Sequence, residues 1–220
     1  MNNIEDIINY TFKNKELLML AQTHSSFGHK FNTQNNERLE FLGDSILGFI
    51  VADFLINNFN EDEGLLTKYR SSVVSCEHLS KIITTLKLEK FIKTSPENLN
   101  EKETVKGDFY EALLGAIYLD GGLTSAKNFV YKSLNLSVNE VLKVYKLNKD
   151  YKTILQELIQ AKKGEIEYKL VKILGEENAK IFEMALYINK KFICSQKDSS
   201  KQKAENRCAE FAIKNNIIKN

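Results

Sequence analysis

In the stretch Asn36-Glu37-Arg38-Leu39-Glu40-Phe41-Leu42-Gly43-Asp44-Ser45-Ile46-Leu47-Gly48, three carboxylates stand at spacings i, i+3 and i+7. On a helix of 3.6 residues per turn, Glu37, Glu40 and Asp44 fall within about 60° of one another. Leu39, Phe41, Leu42, Ile46 and Leu47 lie between them and call for burial. Like charges at that spacing repel, and partial burial raises the cost. A bound cation would remove the conflict. A second acidic pair, Asp108 and Glu111, sits at i, i+3 within Asp108-Phe109-Tyr110-Glu111-Ala112-Leu113-Leu114, again on one face of an apolar helix.

Two acidic helix faces suit metal-dependent hydrolysis of a phosphodiester. Hard carboxylate oxygens fit Mg²⁺, which keeps several waters and needs few protein arms. Such an ion both activates water and stabilises the leaving oxygen. A single Asp-x-x-Glu on a helix is most often solvated surface; five acids embedded in two apolar helices are harder to read that way.

These helices belong to a chain of 220 residues with 43% hydrophobic and 27% charged content, the profile of an ordinary globular protein. No apolar run reaches the roughly 20 residues that a membrane span requires, and the start, Met1-Asn2-Asn3-Ile4-Glu5-Asp6, lacks the pattern of a signal peptide. Cys76, Cys194 and Cys208 form no Cys-x-x-Cys pair and read as reduced, mostly buried thiols. The expected address is the cytoplasm, with no membrane partner. The net charge of +2 is unevenly spread: residues 1–150 carry 17 Lys+Arg against 20 Asp+Glu, and residues 151–220 carry 14 against 9. An acidic front and a basic back indicate two modules, the second a candidate for a polyanion.

Hydrophobic spacing predicts helix over much of 4–26, a polar loop at 27–35, and a long helix from the acidic stretch through Phe59. Further helices are expected within Leu65–Leu88 and from Asp108 to a stop at Asp120-Gly121-Gly122, then from Ser125 to Tyr145, with a loop from about Lys93 to Val105. This is an all-helical domain, residues 1–147. After a short polar joint the pattern changes. Residues 151–162 read as an amphipathic helix; Glu165–Leu174, Lys180–Ile188 and Lys191–Ser195 read as strands, the last two joined by an Asn189-Lys190 turn. Ser199 or Ser200 caps a final helix burying Ala204, Cys208, Phe211 and Ala212. Residues 150–220 thus form a small α-β-β-β-α domain, and the fold class is multidomain α and α+β.

Asn36 to Ser45 resembles, letter for letter over ten positions, the signature motif of the ribonuclease III family. Asp108-Phe109-Tyr110-Glu111-Ala112 resembles that family's second acidic helix; Glu63-Gly64 and Thr23-His24-x-Ser26 match two further sites. The tail resembles a double-stranded RNA-binding domain, so the likeness covers essentially the whole chain in the order of the bacterial enzymes. The resemblance implies that Glu40, Asp108 and Glu111 coordinate Mg²⁺, with Mn²⁺ as a substitute, and that Asp44 and Glu111 are catalytic. It implies outer acidic roles for Glu37 and Glu63, a homodimer about the signature helix, and no organic cofactor. The implied reaction is hydrolysis of double-stranded RNA to 5′-phosphate and 3′-hydroxyl ends, in processing of ribosomal RNA and other structured precursors. Arg38, between two acids, reads as a local ion pair or an interface residue. His24 reads as a structural hydrogen bonder with no catalytic role.

Duplex RNA is read by shape, through minor-groove hydroxyls and phosphates. The resemblance makes Gln156 and Gln160 of the first tail helix, and Asn178 in the loop between strands, the groove contacts. Lys197, Lys201 and Lys203 would meet phosphates at the start of the last helix, aided by its dipole. Glu176, Asn178, Gln196, Asp198 and Gln202 depart from the usual residues at their positions, and the two added acids weaken the expected phosphate affinity. The alternative reading is a duplex-RNA-binding protein on a nuclease fold that no longer cuts; retention of Glu40, Asp44, Asp108 and Glu111 argues against it.

Overall fold

The computed structural model describes residues 3–147, 151–175, 180–215 and 217. The chain divides into two compact units, Met1–Asn148 and Lys149–Asn220.

The first unit is helical: α1 Ile4–Ile8, α2 Lys15–Ala21, α3 Ser25–Phe31, α4 Glu37–Asn58, α5 Glu63–Val73, α6 Cys76–Thr85, α7 Glu103–Ser133 and α8 Val138–Leu147, with short 3₁₀ turns at Glu89–Phe91 and Glu97–Glu101. The most extensive packing is α4 on α7. Leu47, Ile50 and Val51 of α4 meet a core that includes Phe109, Leu113 and Ile117 of α7, all at 1% exposure or less. Each side chain of this size contributes about 1.5–3 kcal/mol by leaving water, so this helix pair anchors the unit.

Small residues set how close the two helices come. A Cβ built on Gly43 would fall inside the backbone carbonyl of Glu111, and one on Gly115 would fall inside that of Leu39. The helices therefore touch backbone to backbone at two points about one helical turn apart on each, a separation no larger residue permits.

Three expectations are corrected. The segment expected as loop at 27–35 is half helix: His24 caps α3 through Nδ1, which accepts from the Ser26 N–H at 3.1 Å, and Asn32 ends it at φ 50°. The stop at Asp120–Gly122 is a kink. Gly122 takes φ 73°, which breaks the helical path, but α7 resumes and runs to Ser133. Asp120 there accepts from Tyr10 Oη at 2.7 Å and from the N–H groups of Lys13 and Asn14. The helix expected over Ser125–Tyr145 is interrupted at Leu134–Ser137, where Asn135 adopts φ 47°.

The second unit runs α9 Tyr151–Ala161, β1 Ile166–Leu174, β2 Ile181–Ile188, β3 Lys191–Asp198 and α10 Lys201–Lys214. The strands form an antiparallel sheet in the order β1-β2-β3. Asn189 and Lys190, at φ 50° and 67°, make the two-residue turn that matches strand twist. Both helices pack on one face of the sheet, around Leu155, Ile159, Leu186, Cys194 and Cys208. Ser200 caps α10, accepting from the Lys203 N–H at 3.2 Å. Phe211, expected inside, is 39% exposed, and Leu158 is 44% exposed, because the narrow faces of α10 and α9 are filled by Ala204, Ala212, Leu155 and Ile159. β3 is longer than expected: Gln196, Lys197 and Asp198 pair with Met184, Glu183 and Phe182 rather than forming a loop. Cys194 and Cys208 are buried as expected, whereas Cys76 is exposed.

Candidate metal centre and RNA-binding surfaces

The close approach at Gly43 and Gly115 puts the acidic edge of α4 against the acidic start of α7. Glu40 lies in the first turn of α4, where the helix dipole favours an anion. Asp108 and Glu111 lie one turn apart on α7. Carboxylate oxygens of Glu40, Asp108 and Glu111 all lie within 4.8 Å of one another, and all three residues are half-buried.

Among the described residues no lysine or arginine pairs with these acids, so they raise one another's affinity for protons. Burial, then Asp44, Glu40 and Asp108, push the Glu111 carboxyl up to about 7. Burial is also the main cause for Glu40, reinforced by Asp108, Glu37 and Asp44. Asp108 is raised by burial, with His24 opposing the shift. This is the donor set a hard divalent cation requires: several carboxylate oxygens on two rigid helices, with one side open to water. The residues fit such an ion, and the mutual repulsion is what its charge would relieve.

The other predicted acids fall outside the converging trio. Asp44 is exposed one turn beyond Glu40 and acts on Glu40 and Glu111 electrostatically. Glu37 is exposed, its carboxylate accepting from Asn35 Nδ2 at 3.0 Å. Glu63 opens α5 and accepts from Thr67 Oγ1 at 2.9 Å. It lines a groove of about 600 Å³ with Phe49, Ile56, Leu66 and Arg70, away from the trio. Arg38 makes no ion pair among the described residues: helical neighbours at i±1 and i±2 point apart, and Arg38 lines a second groove with Leu17, Leu42 and Leu119.

Two residues with no assigned site role tie together the segments around the signature helix. Asn36 is 1% exposed; its side chain donates to the carbonyl of Ala21 at 3.3 Å and its backbone N–H to that of Thr23 at 2.9 Å. Its position as the first letter of the signature is the only sequence clue. His24 ties the start of α3 to the segment before α7, its N–H donating to the Lys93 carbonyl at 3.1 Å.

In the second unit, Gln156 and Gln160 are exposed on α9 and line a hollow with Lys152, Glu167 and Lys190. Lys201 and Lys203 are exposed at the start of α10. Lys197 lies 3.6 Å from Glu183, its cross-strand partner. Asp198 is bound by Arg207 Nε at 2.6 Å, so this added acid is largely neutralised within the fold. Asn178 and Glu176 lie outside the described residues.

Comparison with known proteins bears on both units. A ribonuclease-III-like family model matches residues 14–137, and a double-stranded RNA binding motif matches residues 151–216. Ribonuclease 3 of Helicobacter pylori is 38% identical over 216 residues, 96% of this chain and 89% of its own length. Ribonuclease 3 of Campylobacter fetus is 39% identical over 215 residues, 95% of each. Among solved structures, the ribonuclease III nuclease domain of Campylobacter jejuni, described for flexibility in a region involved in dimer formation, is 36% identical with a TM-score of 0.55 and covers 60% of this chain and 96% of that one. The matched segments coincide with the helical unit that carries the acid trio and the α-β-β-β-α unit that follows it, and the chain belongs to the ribonuclease III family, as an endoribonuclease with a C-terminal double-stranded RNA-binding domain.

Proposed function

We propose that this chain is a Mg²⁺-dependent endonuclease that hydrolyses double-stranded RNA to 5′-phosphate and 3′-hydroxyl products, and that it acts as a homodimer in processing ribosomal RNA and other structured precursors. The observation that carries the chemistry is the trio Glu40, Asp108 and Glu111, three carboxylates within 4.8 Å on two helices locked backbone to backbone. These residues would hold the ion, with Mn²⁺ as a substitute; bound there, it supplies a Lewis acid for the phosphate and lowers the pKa of the attacking water. Asp44 adds negative potential at the mouth of the trio. Glu111, the most strongly raised acid, is the residue on which activity most depends. Glu37 and Glu63 are assigned to RNA, water or dimer contacts.

The dimer is supported by the outer face of α4. Phe41, Phe49 and Ile56 are 78%, 58% and 66% exposed, an apolar stripe that a monomer would leave in water. A dimer about this helix gives one site for each strand of a duplex. In the second unit, exposed Gln156, Gln160, Lys201 and Lys203 form the proposed RNA surface, with Lys197 and Asn178 as further members. Three free cysteines fit a reducing, cytoplasmic setting.

The test is incubation of labelled duplex RNA with and without Mg²⁺, beside single-stranded RNA and duplex DNA. Cleavage restricted to duplex RNA with Mg²⁺, leaving 5′-phosphates, is the expected result. Glu111→Ala should stop cleavage while leaving RNA binding measurable by gel shift; full cleavage by that variant would remove Glu111 from the site.

A further inference from the structure

The sheet of the second unit has one face on which neither helix packs. Strand register sorts its residues, because paired residues share a face and successive ones alternate. Leu186 pairs with Cys194, and both lie in the core shared with α9 and α10. Tyr187, next to Leu186, therefore points the other way. Glu167, Tyr187 and Phe192 make one cross-strand row on this outer face. Lys169, Ala185 and Ser195 make the second, and Lys172, Glu183 and Lys197 the third. Successive rows are about 7 Å apart, two residues of rise along a strand.

The first row is aromatic and open. Phe192 is 54% exposed, and its ring centre lies 5.7 Å from that of Tyr187 at an interplanar angle of 69°. Cross-strand aromatic pairs stabilise a sheet, yet this one leaves more than half of Phe192 in water. Lys169 Nζ stands 5.0 Å from the centre of the Tyr187 ring and 3.1 Å from Glu167. At the far row Lys172 and Lys197 share a single acid, Glu183, each at 3.6 Å. Lys190 and Lys191 are exposed at the turn that leads into Phe192. Five lysines thus surround the aromatic pair, against the three acids Glu165, Glu167 and Glu183.

An excess of lysine around exposed rings suits one kind of polyanion. Single-stranded nucleic acid lays its unstacked bases on aromatic rings while basic side chains track its phosphates. Duplex RNA keeps its bases stacked inside and is read by shape, hydroxyls and phosphates, so it has no use for the rings. A second copy of the same face would set lysine against lysine, and like-charge contact is costly.

We propose that this sheet face binds single-stranded RNA, with Phe192 and Tyr187 as the stacking platform and Lys169, Lys172 and Lys190 as phosphate contacts. The exposed residues of α9 and α10 belong to the helices on the other side of the sheet. The unit therefore has separate surfaces for a duplex and for the unpaired strand that leaves it, and the favoured substrate is a duplex with a single-stranded extension.

The test is fluorescence anisotropy on the full chain, with divalent metal chelated so that no RNA is cut. The probes are a labelled oligouridylate of about 10 nucleotides and a labelled blunt duplex of about 16 base pairs. Phe192→Leu keeps the apolar cover of the sheet and removes the ring. It should weaken oligouridylate binding by about 5–100-fold, the worth of one stacked base, with duplex affinity and melting temperature near native. Phe192→Tyr should restore the single-strand affinity. Lys169→Gln with Lys172→Gln leaves both rings in place and should lower the slope of log K against log salt for the single strand by about 1.4, and not for the duplex.

No oligouridylate binding by the native chain would overturn the proposal while leaving the duplex-RNA reading intact. Native single-strand affinity in Phe192→Leu, or an unchanged salt slope in the lysine variant, would equally overturn it. A matching loss of duplex affinity in Phe192→Leu would assign the face to duplex RNA instead. Weaker self-association of Phe192→Leu in sedimentation equilibrium would make the face a contact between copies, and the proposal would fall.

Discussion

Gly43 of α4 sits directly against the backbone carbonyl of Glu111 on α7, with no room for a Cβ. The residue that permits the helix contact therefore faces the residue whose side chain completes the acid trio. Gly115 does the same against Leu39 from the opposite helix. Packing and chemistry share one contact, and a substitution there tests both. Gly43→Ala must push α4 and α7 apart. We expect a loss of at least ~3 kcal/mol in denaturant unfolding, at the upper end of overpacking costs, and loss of cleavage even in whatever fraction still folds. Native stability and activity in Gly43→Ala would mean that the helices are not in backbone contact.

The raised carboxyl of Glu111 ties stability to pH. Its pKa is about 7 folded, against 4.5 for the free side chain. Between those values the folded chain holds a proton that the unfolded chain has lost, so stability falls as pH rises from about 4.5 to about 7. Added Mg²⁺ should therefore raise the melting temperature strongly at pH 8 and hardly at pH 5.5. Without metal at pH 8, Glu111→Gln should be more stable than native by of order 1–2 kcal/mol, since one pKa unit is about 1.4 kcal/mol before allowance for solvent screening. Thermal melts across pH, with and without Mg²⁺, check both statements.

Lys201 and Lys203 are exposed in the first turn of α10, where the cap at Ser200 fixes the helix start. Replacing both by Ala should weaken duplex RNA binding and lower the slope of log K against log salt by about 2, one for each phosphate that the variant no longer neutralises. Lys197→Ala should matter less, because Lys197 already shares Glu183 with Lys172 at 3.6 Å. Filter binding at several salt concentrations measures both; an unchanged slope for the double variant would place the RNA elsewhere.

The apolar stripe on α4 makes the oligomeric state testable without RNA. Phe41→Asp should convert a dimer to a monomer in sedimentation equilibrium while leaving the helical circular dichroism spectrum unchanged, because Phe41 lies outside the core. A monomeric native protein would leave the exposure of Phe41, Phe49 and Ile56 without a partner to explain it.

The two-module order and the identity of the acidic helices could be read from the chain alone. Periodicity is a local property: Glu37, Glu40 and Asp44 share a helix edge wherever that helix is placed, and the shift to strand alternation after residue 165 needs no partner to be seen. The Asn189-Lys190 turn and the cap of α10 by a serine are local chemistry of the same kind. Elements whose ends depend on distant contacts were less legible. The short helix α3 has a glycine at its centre and looks like loop; it holds because His24 caps it and Gly28 is buried. Asp120-Gly121-Gly122 carries the local signal of a helix stop, yet the helix resumes beyond it, with Asp120 held by Tyr10, Lys13 and Asn14 from elsewhere in the unit. At Asn135 the error runs the other way, because a single residue of positive φ breaks the helix while leaving the hydrophobic period nearly intact.

Which acids form the site was decided by tertiary structure. The spacing of Glu37, Glu40 and Asp44 makes them equivalent neighbours on one helix, yet only Glu40 converges with Asp108 and Glu111. The reason is geometric. α4 meets α7 at Leu39 and Gly43, and Glu40, next to Leu39 and the acid angularly nearest that contact, converges with the α7 acids, while Glu37 and Asp44, turned farther from it, remain exposed. The residue types by themselves pointed to a cation; the depth of the glycine contact decided where Glu40, Asp108 and Glu111 meet.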